Sequence, residues 1–244
     1  MTIHAHLSSG LKTIAQASLE VADTLIMLAK GHPDFQKMTF ISQKKNEVFD
    51  FLSYDRAEDL AKELSVAYIK SKSGEIRKYN KGLKVVTEDF SEDVGFRYWF
   101  VYKKSKDDDY SVIFKLGSTV DGIRNQIDIE LPEDELNTCQ WAKGVLCNLI
   151  DYFDVTYGGL LPWYFLKYKH KLYRHVAIYP GWISYFPNEA ELPDMSDYEA
   201  VEDYKDKGKI YTLQNEEFDL RSQVQCRKWL CPFKKFAVKF GIPE

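Results

Sequence analysis

The stretch "GFRYWFVYK", Gly95–Lys103, alternates strictly. Phe96, Tyr98, Phe100 and Tyr102 fall on one face, and Arg97, Trp99, Val101 and Lys103 on the other. Period two marks a strand, because successive side chains of an extended backbone point to opposite sides. The polar link "SKDDD" follows, and "YSVIFKL" (110–116) runs back. "NQIDIEL" (125–131) alternates again through Ile127, Ile129 and Leu131. Consecutive strands on short polar links predict an antiparallel meander. The charges on the Trp99 face predict that one side of this sheet meets water.

Helical periodicity lies on both sides of the meander. Over 8–30, Leu11, Ile14, Ala15, Val21, Ala22, Leu25 and Leu28 share a face, with Ser8 or Ser9 as cap and Gly31 and Pro33 as stop. A second helix is expected from Asp55, where Glu58 completes a capping box and Ala57, Leu60, Ala61, Leu64 and Tyr68 form the stripe. "MTFISQKKNEVFDFL" (38–52), between them, reads as a short strand and its return, and the polar stretch 71–84 as a loop.

Beyond the meander, Pro132 opens a helix with Glu133, Asp134 and Glu135 in its first turn, where the dipole favours them. Its expected buried stripe is Trp141, Val145, Leu149 and Tyr152 or Phe153. "TYGGLLPWYF" (156–165) reads as a break. "KLYRHVAI" (171–178), "GWISYF" (181–186) and "GKIYTL" (208–213) read as strands. A last helix is expected from about Asp219 to Pro232, with Phe233, Phe236 and Phe240 anchoring the tail. With no repeat, low-complexity tract or Gly/Ser linker, the expectation is a single α+β domain over 1–244. Its sheet is mainly antiparallel and of mixed order, packed with N-terminal, central and C-terminal helices.

A chain of 244 residues, 45% of them hydrophobic, is long enough to bury a substantial core. The formal net charge of −4 argues against general nucleic-acid binding, which needs a basic footprint. No stretch approaches the roughly 18 apolar residues of a membrane span. The first thirty residues have no basic n-region, so a cytoplasmic protein without a targeting segment is expected. Cys139, Cys147, Cys226 and Cys231 lie on predicted helices at spacings unlike CxxC, and read as reduced core thiols.

Signatures of catalysis are weak. His4 and His6 lie in a segment expected to fray, His32 at a helix stop, and His170 and His175 on opposite faces of a strand. There is no HExxH, no GxSxG and no glycine-rich phosphate loop. No catalytic, metal or cofactor site is expected. The strongest enzymatic alternative is a metal-dependent nuclease or hydrolase centred on Asp121, Asp128 and Glu130, since carboxylates converging on a divalent cation stabilise a leaving oxygen. The lysine that often follows such a pair is replaced by Pro132, and Asp128 and Glu130 also suit the wet face of a half-buried strand.

"YPGWISYFP" (179–187) leads into an acidic run, with eight carboxylates and one lysine from Glu189 to Asp206. A charge run is commonly a solvated loop and helix. Beside large rings of the kind that anchor interfaces, it could instead complement a basic partner and speed its capture. The candidate partner-binding residues are therefore Trp182, Tyr185, Asp194, Asp197, Glu199, Glu202 and Asp203.

"GWISYFP", then "LP", then "GKIYTLQNEEFD" ahead of an apolar helix resembles the immunity protein 52 family of bacterial polymorphic toxin systems. The resemblance is clearest over 180–222, at Gly181-Trp182, at the strand from Gly208 and at Glu217-Phe218-Asp219, and it extends back to about 94. The "GKIYTLQN" strand is more polar than the family's pattern. The resemblance implies a cytoplasmic antitoxin, without catalytic residues, that binds a cognate toxin. That toxin is often a nuclease delivered by a type VI secretion system. A structural adaptor using the same surface is a further alternative. The sequence leaves the oligomeric state open.

Overall fold

The computed structural model describes residues 1–8, 10–42, 44–72, 76–79, 82–85, 95–104, 109–120, 124–132, 139–161, 180–214 and 222–239, with backbone only at 76–79, 82–85, 139, 223, 226, 229 and 237. In order these hold β1 (Thr2–Leu7), α1 (Ile14–Gly31), β2 (Lys37–Phe40), β3 (Glu47–Asp50), α2 (Ala57–Lys72), β4 (Ile76–Tyr79) and β5 (Gly82–Val85). There follow β6 (Phe96–Lys103), β7 (Asp109–Leu116), β8 (Asn125–Glu130), α3 (Cys139–Tyr152), β9 (Val155–Leu161), β10 (Ile183–Pro187), β11 (Ala200–Tyr204), β12 (Gly208–Thr212) and α4 (Gln223–Lys239). The fold is α+β. The chain groups into two compact units, one of Leu7–Glu130 and one of Met1–His6 with Leu131–Glu244.

The Leu7–Glu130 unit holds the predicted meander, in the order β8-β7-β6-β2-β3. β6 pairs antiparallel with β7, Phe96 opposite Leu116, Tyr98 opposite Phe114 and Phe100 opposite Val112, and all six are buried. α1 and α2 cover this aromatic face. The Tyr98 hydroxyl and Ser18 Oγ share a hydrogen bond of 2.7 Å, and the Tyr68 ring sits 4.9 Å from that of Tyr98. α1 starts at Ile14 rather than near 8. Thr13, not Ser8, caps it, accepting from the Gln16 amide at 3.2 Å while Gln16 Oε1 accepts from the Thr13 amide at 2.9 Å. Gly95 enters β6 at φ +80°, and a Cβ there would lie 2.5 Å from the Leu116 carbonyl oxygen, so only glycine fits. The stretch expected as a loop after α2 contains the β4–β5 hairpin.

In the other unit the order is β11-β12-β10-β9-β1. β10 pairs antiparallel with both β9 and β12, and β11 pairs antiparallel with β12. β10 is dry on both faces. Phe186 stacks on Phe236 of α4 at 5.6 Å, and Trp182 donates its Nε1 hydrogen to the Gln214 carbonyl at 2.9 Å.

Several expectations are corrected here. The Thr2–Leu7 segment is a buried strand, because Ile3 and Ala5 supply an apolar face with no exposure. "TYGGLL" is the strand β9, not a break. Its glycines make room for a closely packed neighbour, and a Cβ on Gly158 would come within 2.6 Å of Leu146 Cδ1. Part of the acidic run forms β11, on the edge of its sheet. α4 continues through Pro232, which costs one backbone bond but does not end a helix whose next turn is anchored by buried Phe233 and Phe236. The first turns of the helix expected after Pro132 (133–138), the strand at 171–178, Asp219 and Phe240 lie outside the described residues.

The buried face of α3 is Ala142, Val145, Leu146, Leu149 and Ile150, continued by buried Phe153 just past its end, while Trp141 is half-buried and Tyr152 exposed. Spacings of three and four from Ala142 rotate the stripe away from Trp141. Leu149→Ala is therefore expected to cost about 2–5 kcal/mol, and Trp141→Ala less than about 2 kcal/mol. Chemical denaturation of the two variants checks the register, and the opposite ranking would contradict it.

Candidate functional site

The acidic segment is the natural starting point, and its surroundings come from α4. Lys228, Lys235 and Lys239 are spaced by seven and four, which sets them on one side of a helix. That side meets the acidic run. Lys235 Nζ lies 2.6 Å from Asp194 and 2.8 Å from Asp197. Lys228 pairs with Glu199, and Lys239 lies 3.9 Å from Glu191 while donating to the Leu192 carbonyl at 3.2 Å. Lys143 of α3 holds Glu202 at 2.7 Å, and Lys209 of β12 faces Asp203 at 3.5 Å. Each proposed partner-binding carboxylate thus meets a lysine of its own unit. Exposed ion pairs contribute little singly, but a row of them fixes the rotation of a helix on its seat.

Electrostatics within the row are uneven. Hydrogen bonds from Lys235 and then Ser196 hold the Asp194 carboxyl down at about 2, and Lys235 is raised in return. Glu189 and Asp206 have no lysine within ion-pair reach among the described residues. Together with Asp154 and Lys207 they line an open depression of about 470 Å³ under Tyr185.

Trp182 and Tyr185, expected as exposed anchors beside the carboxylates, are core residues at 1% and 2% exposure. The reason lies in the topology, since β10 is an inner strand covered on both faces. Tyr185 spends its hydroxyl on the Lys207 carbonyl at 3.1 Å. Neither ring is presented to a partner.

Of the hydrolase trio, Asp121 lies outside the described residues. Asp128 and Glu130 are half-buried on the face of β8 opposite buried Ile127 and Ile129. Asp128 accepts from the Gln126 amide at 2.5 Å, and Glu130 accepts from Ser111 Oγ at 2.6 Å. Among the described residues no group of three or more His, Cys, Asp or Glu could hold a metal ion. No described helix is long and apolar enough to cross a membrane.

Two features escaped the sequence reading. His4 and His6 are buried side by side on β1, Nε2 to Nε2 at 2.6 Å, with the Tyr157 ring 5.4 Å from His6. The "HAH" spacing already puts both rings on one face, and a buried strand was the missing premise. The lysine row of α4 is legible at i, i+7 and i+11, but only a known seat gives it meaning. Cys147 and Cys231 are free thiols on helices, half-buried and exposed rather than in the core. Burial raises the Cys147 pKa.

No protein-family model matches the chain, and no curated protein matches it. Among solved structures, its fold is similar to that of a Pseudomonas aeruginosa T6SS protein, PA0821, with a TM-score of 0.50. Identity is 9%, and the match covers 96% of this chain and 72% of that one. At that identity the likeness is one of fold.

Two outcomes are expected from this geometry. Trp182→Ala should lose about 3–5 kcal/mol of stability, read by denaturant unfolding, because it empties a core site and removes the indole donor from the Gln214 carbonyl. For Asp194, a depressed carboxyl stabilises the fold above about pH 4, and that stabilisation is lost as the pH falls toward 2. Asp194→Asn should flatten the decline in melting temperature over that window. An unchanged slope would mean that the pair with Lys235 does not stabilise the fold.

Proposed function

We propose that the chain is an antitoxin of the immunity protein 52 type, a cytoplasmic inhibitor that neutralises a cognate secreted toxin by binding it, without catalysis. The observation that carries the reading is the fold likeness to a T6SS protein across 96% of the chain. It agrees with the resemblance drawn from residues 180–222. Asp128 and Glu130 support it from the other side, because both carboxylates are engaged by neighbouring polar side chains on a strand face. The partner is a toxin encoded beside the chain, of the nuclease class that the resemblance implies.

The test is survival of cells expressing the adjacent toxin gene with and without this chain, together with co-purification of the two products. Protection and a stable complex are expected. Absence of both would overturn the reading. Metal-dependent nuclease activity of the purified chain alone, lost in Asp128→Asn with Glu130→Gln, would favour the hydrolase instead.

A further inference from the structure

The face of the β8-β7-β6-β2-β3 sheet opposite α1 and α2 carries an uncommon set of side chains. Antiparallel register lays them out in rows. Arg97, Lys115 and Gln126 form one row, Trp99, Ile113 and Asp128 the next, and Val101, Ser111 and Glu130 the third. Val48 joins the third row through Thr39. Trp99, 39% exposed, stands in solvent beside exposed Arg97, and Val48, 62% exposed, stands two strands away across half-buried Thr39 and buried Val101. Single exposed apolar residues are ordinary, but a tryptophan flanked by arginine and set among apolar neighbours is the composition of an interface centre.

Charge sharpens the picture. Burial lowers the Lys115 pKa. Asp128 works against this, while Arg97 and Arg124 add to it. Three cations thus crowd one end of the face against Asp128, which also accepts from Gln126. Arg97 and Lys115 stand side by side in one row, so an anionic surface laid over that row meets two cations at once.

We propose that this sheet face is the surface by which the chain meets its protein partner, and that it fits a carboxylate-bearing patch of that partner with a recess for the Trp99 ring. The inference rests on the antitoxin reading and names its contact surface. A protein suits the face better than a nucleic acid does. Asp128 and Glu130 sit in the adjacent rows and would repel a phosphate backbone, whereas a protein surface can meet both signs. Three cations are also few beside the six to ten phosphate contacts typical of strong nucleic-acid binders. Against a nuclease, such a face would dock on an acidic flank and not inside the basic phosphate-binding cleft.

The experiment uses the full chain and three probes: the product of the adjacent toxin gene in a catalytically dead form, poly-L-glutamate, and a polyuridylate oligonucleotide. Arg97→Glu with Trp99→Ala should weaken toxin binding by about tenfold or more, and Val66→Ala, an exposed change on α2, should not. Poly-L-glutamate should change the intrinsic fluorescence of the wild type in a salt-sensitive way, and Trp99→Phe should abolish that change. Circular dichroism verifies folding, and Arg97→Gln and Trp99→Phe singly carry the comparison if the double variant does not fold. Toxin binding equal in wild type and variants overturns the inference and leaves the antitoxin reading standing. No toxin binding by the wild type overturns the antitoxin reading. The poly-L-glutamate response then decides the face on its own, and its absence overturns the inference. Polyuridylate binding at least as tightly as poly-L-glutamate through Trp99 also overturns it, in favour of a nucleic acid.

Discussion

An inner strand with no wet face constrains everything around it, and β10 is such a strand. Paired on both edges, it must find apolar cover above and below, because each large ring left in water forfeits about 1.5–3 kcal/mol of transfer free energy. Phe236 of α4 supplies part of the cover. The glycines of β9 supply room for it, with Gly158 opposite Tyr185 and beneath Leu146 of α3. Trp182 is spent at the entrance to the strand, closing the turn onto Gln214. The rings that look like bait in the sequence are structural, and α4 is obliged to lie where they need it.

Once α4 is in place, the acidic run has an internal use. An amphipathic helix held only by Phe233 and Phe236 could rotate about its axis. Lysines at three positions along one side, each matched to carboxylates of the loop before β11, remove that freedom. The charges that could steer a partner are largely consumed in steering the chain's own helix.

The meander was legible because its signal is local and strict. Alternation in 95–103 and 125–131 fixes both strand and face, and Tyr98 and Trp99 fall on opposite sides as the pattern requires. α2 was legible through its stripe for the same reason. Signals that depend on distant partners were not. Glycines in 156–161 look like a break until α3 is seen pressing on them, and Thr2–Leu7 looks like a loose end until its neighbour β9 is known. The site was less legible than the fold, since exposure of Trp182 and of the carboxylates is decided by sheet order and by α4, neither of which is written in 179–206 itself.

The pairing of β1 has a temporal side. The neighbour of β1 within its unit is β9, and the Met1 amino group donates to the Leu131 carbonyl at 3.0 Å while the Leu131 amide returns a bond to the Met1 carbonyl at 2.8 Å. Translation delivers the first six residues well before any of these partners. The Leu7–Glu130 unit is continuous in sequence and has its strands and helices in hand by then, so it is the natural first unit to fold on the ribosome. Residues 1–6, with Ile3 and Ala5 among them, must wait for Leu131 and then for β9 before this pairing is complete.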